Sequence, residues 1–146
     1  MAGLVSPPPG KGKSMRTCFA VAVAALTLAG FAAPALAEDP SGHWKVVGHI
    51  ADKNFTLDCK FQQAGQTLSG VCVDGPTGDK NIKGGRGHPL IKGHANGDQI
   101  SWTYVSTYSI FKFNVDYTGA IKGEHASGQV SAAGKTGTFT ADHLGS

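Results

Sequence analysis

The sequence predicts an all-β protein: a single antiparallel up-and-down meander closing into a barrel of about eight strands, with a β-sandwich as the alternative. Three observations predict it. From Gly42 onward, apolar and polar residues alternate with period two in short runs. Gly, Asn and Asp punctuate those runs, and no stretch sustains a helical period.

What precedes the meander is of another kind. Arg16 is followed by an apolar run from Phe19 to Ala33. Pro34 breaks the run, and Ala35-Leu36-Ala37 places small residues at the two positions a signal peptidase reads. Basic, apolar and small segments in that order form a secretory leader. The run is too short for a membrane anchor, and no basic cluster follows it. The prefix Met1–Ser14 is unusual in front of such a leader, and Met15 is the expected start. Residues 1–37 are therefore expected to be an N-terminal extension and cleaved signal peptide. Residues 38–146 are expected to be a single barrel domain, periplasmic or secreted, with no membrane span. Cys18 leaves with the leader.

The whole chain has 13 Lys and Arg against 10 Asp and Glu. Lys11, Lys13 and Arg16 belong to the leader and every acidic residue follows it, so the mature domain is electrically balanced. A balanced domain lacks the net basic face that nucleic acid or an anionic membrane needs, and neither is an expected partner.

The strands follow in order. Gly42–Ile50 puts Trp44, Val46 and Ile50 on one face and His43, Lys45 and His49 on the other. Asn54–Gln63 aligns Phe55, Leu57, Cys59 and Phe61. Thr67–Asp74, Lys80–Gly84 and Leu90–Ala95 come next. Gln99–Ser106 aligns Ile100, Trp102 and Tyr104. Ile110–Thr118 sets Phe111, Phe113, Val115 and Tyr117 against Lys112, Asn114 and Asp116, as one buried and one wet face require. Ala120–Gly123, Gly128–Ala132 and Gly137–Asp142 complete the set. One or two of these ten are expected to fuse or drop out. The stretches from Ile91 (IKGHANGDQIS) and from Ile121 (IKGEHASGQVS) read as one hairpin written twice, each strand ending at the Gly.

Two cysteines outside the leader, in an oxidising compartment, make a disulfide the default. If Gly65-Gln66 is a two-residue type II′ turn, Ala64 pairs with Thr67. Counting back along both strands, Cys59 then lies opposite Cys72 and Phe61 opposite Gly70. The cysteines fall on a non-hydrogen-bonded pair, where Cα atoms are about 4.5 Å apart, within disulfide range. Far apart in sequence, they read as a structural staple rather than a redox pair.

Chemistry-bearing motifs are few. No pair among the six histidines has the spacing of a zinc site, and no metal or cofactor is expected. No Gly-x-Ser-x-Gly elbow is present, so no catalytic residue is assigned and the expectation is a non-enzymatic protein. Gly84-Gly85-Arg86-Gly87-His88-Pro89 lacks the following helix and the Lys of a phosphate loop. It reads as a mobile Gly-rich loop at a barrel mouth. The aromatics either line a cavity or fill the core, since small barrels do both. The candidate ligand contacts are Trp102, Tyr104, Phe111, Phe113 and Arg86.

In this layout the chain resembles the calycin barrels, the avidins and lipocalins. Ser41-Gly42-His43-Trp44 is similar to the Gly-x-Trp that opens their first strand. Thr67-Leu68-Ser69-Gly70-Val71-Cys72 is similar to the small-residue third strand of avidin-like barrels, and Gly137-Thr138-Phe139-Thr140 to their last. The resemblance implies an eight-stranded barrel that binds a small apolar or amphipathic molecule. Cys72 and its neighbours replace the Tyr and Ser with which avidins hold biotin in that strand, which argues against biotin. A second resemblance is to small periplasmic barrel inhibitors of metalloproteases, with a leader, an early Trp strand and one disulfide. It implies a protein partner instead, engaged through Glu38-Asp39-Pro40-Ser41.

Overall fold

The computed structural model describes Gly3, Gly10, residues 38–77 and residues 84–146. Apart from Gly3 and Gly10 the expected leader lies outside the described residues, as does the candidate strand Lys80–Gly84 except for Gly84, which opens a turn. Eight strands run β1 (Gly42–Ile50), β2 (Lys53–Ala64), β3 (Thr67–Asp74), β4 (Gly87–Asn96), β5 (Gln99–Tyr108), β6 (Phe111–Lys122), β7 (His125–Ala132) and β8 (Lys135–Gly145). Each pairs antiparallel with the next, and β8 pairs back onto β1, closing the barrel. The protein is thus an all-β, up-and-down barrel, and not a sandwich. All eight strands, the disulfide and the core lie within residues 38–146, so that segment holds a complete fold.

Six of the seven connections are two-residue turns. Gly65 has φ +62° and Gln66 a negative φ, the signature of the type II′ turn expected there. That turn sets the register. Ala64 faces Thr67, Phe61 faces Gly70 and Cys59 faces Cys72. The two sulfurs are bonded, with Cα atoms 4.0 Å apart. The turns divide by end. At one end Gly65, Gly97 and Gly123 take the positive φ; at the other, Ala51, Ser109 and Ala133 do, at the steric cost of a Cβ.

Period two positions the core. Trp44, Val46, Leu57, Phe61, Ile100 and Trp102 point inward and are buried. Trp102 lies flat on Tyr117, ring centroids 4.5 Å apart and planes 6° from parallel, with Phe139 edge-on at 5.3 Å.

The structure locates one of the expected fusions and corrects the sequence reading at three further places. Ile110–Thr118 and Ala120–Gly123 are one strand, β6. Gly119 does not break it, because it lies opposite Gly128 and the Phe139 ring covers it; a Cβ on Gly128 would come within 2.1 Å of the Thr118 carbonyl. β4 begins at Gly87 rather than Leu90, so half of the supposed Gly-rich loop is strand. Pro89 is tolerated because the pairing slips on both sides of β4, between Thr67 and Val71 and between Leu90 and Lys92. β7 begins at His125 rather than Gly128. Finally, the repeated triplet is not repeated in structure. Ile91-Lys92-Gly93 lies within β4 with Ile91 exposed, and the turn comes later at Gly97. Ile121 is buried and Gly123 is itself the turn.

Candidate functional site

The barrel is filled at one end and hollow at the other. Trp44, Phe61, Trp102 and Phe139 pack the half beside the Gly65, Gly97 and Gly123 turns. The other half holds a cavity of about 430 Å³. Its mouth is where the β1–β2, β3–β4, β5–β6 and β7–β8 connections meet. Leu57, Tyr104, Tyr117 and Val130, all buried, form the floor. Ile50, Phe55, Phe113, Val115 and Ala132 line the walls. Lys53, Arg86, Thr107 and Tyr108 stand at the rim, where Arg86 Nη1 donates to the Thr107 carbonyl at 3.3 Å.

Three of the five residues expected to contact a ligand, Arg86, Tyr104 and Phe113, are brought together in this lining. The other two are not. Trp102 lies one inward step below Tyr104, within the filled half and 2% exposed. Phe111 lies one step above Phe113, at the tip of the β5–β6 hairpin and 70% exposed. The inward stripe runs the whole length of the barrel, and only its middle meets the cavity.

One polar residue of the lining, Asp74, escaped the sequence reading, and it is paired with His88 of the Gly-rich stretch, whose Arg and His the sequence marks as the place for a polar ligand contact. Asp74, the last residue of β3, faces inward into the lining, and His88 of β4 is 3% exposed. His88 Nε2 lies 3.0 Å from Asp74 Oδ1, and Nδ1 lies 3.2 Å from the Val105 carbonyl. Both ring nitrogens face acceptors. The imidazole also stacks on Tyr104, centroids 4.6 Å apart. One signal was available for Asp74: the Cys59/Cys72 register puts it opposite inward-facing Leu57. The burial of His88 had none, since its place opposite Cys72 depends on the slipped β3–β4 ladder.

The tyrosine hydroxyls of Tyr104 and Tyr117 lie 3.0 Å apart in the floor. Burial pushes the Tyr104 phenol up to about 12, opposed by the hydrogen bond with Tyr117 and reinforced by the Asp74 charge. Burial also holds Tyr117 well above its usual value, helped by Tyr104 and Asp74. Both are neutral donors and acceptors at ordinary pH. Groups raised in the folded state stabilise it fully below the ordinary value of 10.0 and lose that contribution as pH climbs through about 12. Urea melts at about pH 8 and about pH 11 are expected to differ by about 1 kcal/mol from Tyr104 alone, lower at the alkaline end.

The segment 38–41 is stitched to the filled end. Pro40 is buried and its carbonyl accepts from Trp44 Nε1 at 2.7 Å. Ser41 Oγ accepts from the Gln63 amide at 3.0 Å, and the Ser41 carbonyl accepts from His143 Nε2 at 3.0 Å. Hydrogen bonds from the Ser41 side chain and amide hold the Asp39 carboxyl below its usual value. Among the described residues, no three His, Cys, Asp or Glu side chains converge as a metal site would need, and no helix is long and apolar enough to cross a membrane. No protein-family model matches the chain, and no curated protein matches it.

Proposed function

We propose that this barrel is a calycin-like, secreted or periplasmic binding protein that holds a small apolar or amphipathic molecule in the cavity at its mouth. The observation that carries this is the half-filled interior: a cavity of about 430 Å³ with an apolar floor and walls and a polar rim. It falls within the size range of small-molecule sites, which pair apolar lining with a few placed polar groups. Tyr104 and Phe113 are the proposed apolar contacts and Arg86 the polar one. Trp102 supports the floor through Tyr117, and Phe111 flanks the entrance. The buried disulfide suits an oxidising compartment. The alternative, a protease inhibitor acting through residues 38–41, gains nothing from a segment hydrogen-bonded to its own barrel.

The test is a titration with the fluorescent amphiphile 1-anilinonaphthalene-8-sulfonate, followed by its emission. Ala132→Trp fills the cavity from a wall position near the mouth. It is expected to weaken binding by roughly tenfold or more while leaving the melting temperature within a few degrees. Equal affinity in parent and variant would place the probe elsewhere and remove the cavity from the function. Native mass spectrometry of protein purified from the cells that make it should show an added small-molecule mass.

A further inference from the structure

Beyond the cavity, the mouth carries a feature that ligand binding does not require. Tyr108, Ile110 and Phe111 at the tip of the β5–β6 hairpin are 73%, 83% and 70% exposed. Elsewhere among the described residues the exposed large apolar residues are scattered singly, as Val47, Ile91 and Leu144, which is ordinary for a protein surface. Three within four residues form a contiguous patch of the kind that marks an interaction site. The patch is continuous with the apolar cavity, because Tyr108 belongs to both and the adjoining Ser109 also lines the cavity.

The charges are segregated in the same direction. Among the described residues around the mouth, Lys53, Arg86, Lys112 and Lys135 are exposed, against Asp52 and an Asp74 that faces His88. Around the filled end stand Glu38, Asp39, Asp98, Glu124 and Asp142, against Lys45, Lys60 and Lys122. The balanced net charge, which argued against an anionic surface, is the sum of a cationic end and an acidic end.

We propose that the mouth end seats on an anionic lipid bilayer, with Tyr108, Ile110 and Phe111 entering the boundary between headgroups and acyl chains and the surrounding cations facing the headgroups. An apolar wedge ringed by cations is what such a surface selects. An aromatic hydroxyl such as that of Tyr108 suits headgroup depth. The acidic end is repelled, which fixes the orientation. The cavity mouth then opens onto the membrane rather than onto water.

The experiment is vesicle co-sedimentation with residues 38–146, so that the apolar run before Pro34 cannot contribute. Vesicles of mixed phosphatidylglycerol and phosphatidylcholine are compared with phosphatidylcholine alone. The domain is expected to bind the mixed vesicles and to lose that binding as salt rises from about 50 to about 500 mM. The double change Ile110→Ser with Phe111→Ser should weaken it by roughly tenfold or more, and Lys112→Glu by about fivefold. Lys122→Glu, at the far end, should change nothing. These side chains are exposed, and near-UV circular dichroism checks that the fold is kept. Ala132→Trp should bind vesicles like the parent, so a failure of cavity binding and a failure of membrane seating are read separately. Three results overturn the proposal: no binding to the mixed vesicles at low salt, binding indifferent to the tip changes, or tip-dependent self-association in sedimentation velocity without vesicles. The last would assign the mouth to the acidic end of a second copy.

Discussion

Alanine at both Cys59 and Cys72 is expected to lower the stability of the barrel by about 3 kcal/mol and its melting temperature by roughly 10–20 °C. The bridge closes a loop with a sequence separation of 13. In the chain-entropy account, the linked unfolded chain has that much less freedom to recover. Position adds to the effect. β3 is held on one side by the continuous β2 ladder and on the other by the interrupted β4 ladder, where the pairing slips and Pro89 lacks an amide donor. The bridge fastens β3 on its sound side and leaves the β3–β4 seam as the place to open first. Urea melts of the oxidised, reduced and alanine forms measure the total, and amide exchange should show β4 opening earliest in the reduced form. A loss below about 1 kcal/mol would mean that the unfolded chain is already compact around that hairpin.

Trp102→Ala is expected to cost about 3–5 kcal/mol, the range for deleting a buried tryptophan. The indole is 2% exposed, stacked on Tyr117 and flanked by Phe61 and Phe139. No neighbouring ring can fill the space without leaving its own contacts. Trp102→Phe is the informative companion. It keeps a ring against Tyr117 and removes the indole N–H, which is buried with no hydrogen-bond partner among the described residues. Its cost should be about 1 kcal/mol or less, because the lost contact area is offset by the removal of an unpaired donor. Equilibrium urea unfolding measures both. The alanine variant should also weaken the amphiphile, because Tyr117 rests on Trp102 from below and forms the cavity floor from above.

Much of the barrel was legible in the sequence because its rules are local. A two-residue turn fixes the register of both flanking strands, so Gly65-Gln66 was enough to place Cys59 against Cys72. Period two gave the faces of β1, β2, β5 and β6 correctly. What failed depended on distant neighbours. Gly119 reads as a break until Gly128 and Phe139 are placed around it. Gly87-His88-Pro89 reads as loop until the slipped β3–β4 pairing is seen. The site was half legible for a related reason. Alternation says which way Trp102, Tyr104, Phe111 and Phe113 point, but not how far along the barrel axis the filling stops. That level is set by the bulk of Trp44, Phe61, Trp102 and Phe139 from four different strands. The Asp74–His88 pair joins β3 to β4 across the one connection that is not a tight turn.

The pairing of β1 with β8 also governs the order in which the molecule can be completed. Chains are made N-terminus first, so Gly42–Ile50 emerges long before its partner Lys135–Gly145. Until then the growing domain is at most an open sheet with two unpaired edges, each a template for another chain. Most of its hairpins can form as they appear, but closure is the most non-local contact in the fold and the slowest to find. The strand that removes both edges at once is the last of the barrel's eight to be synthesised.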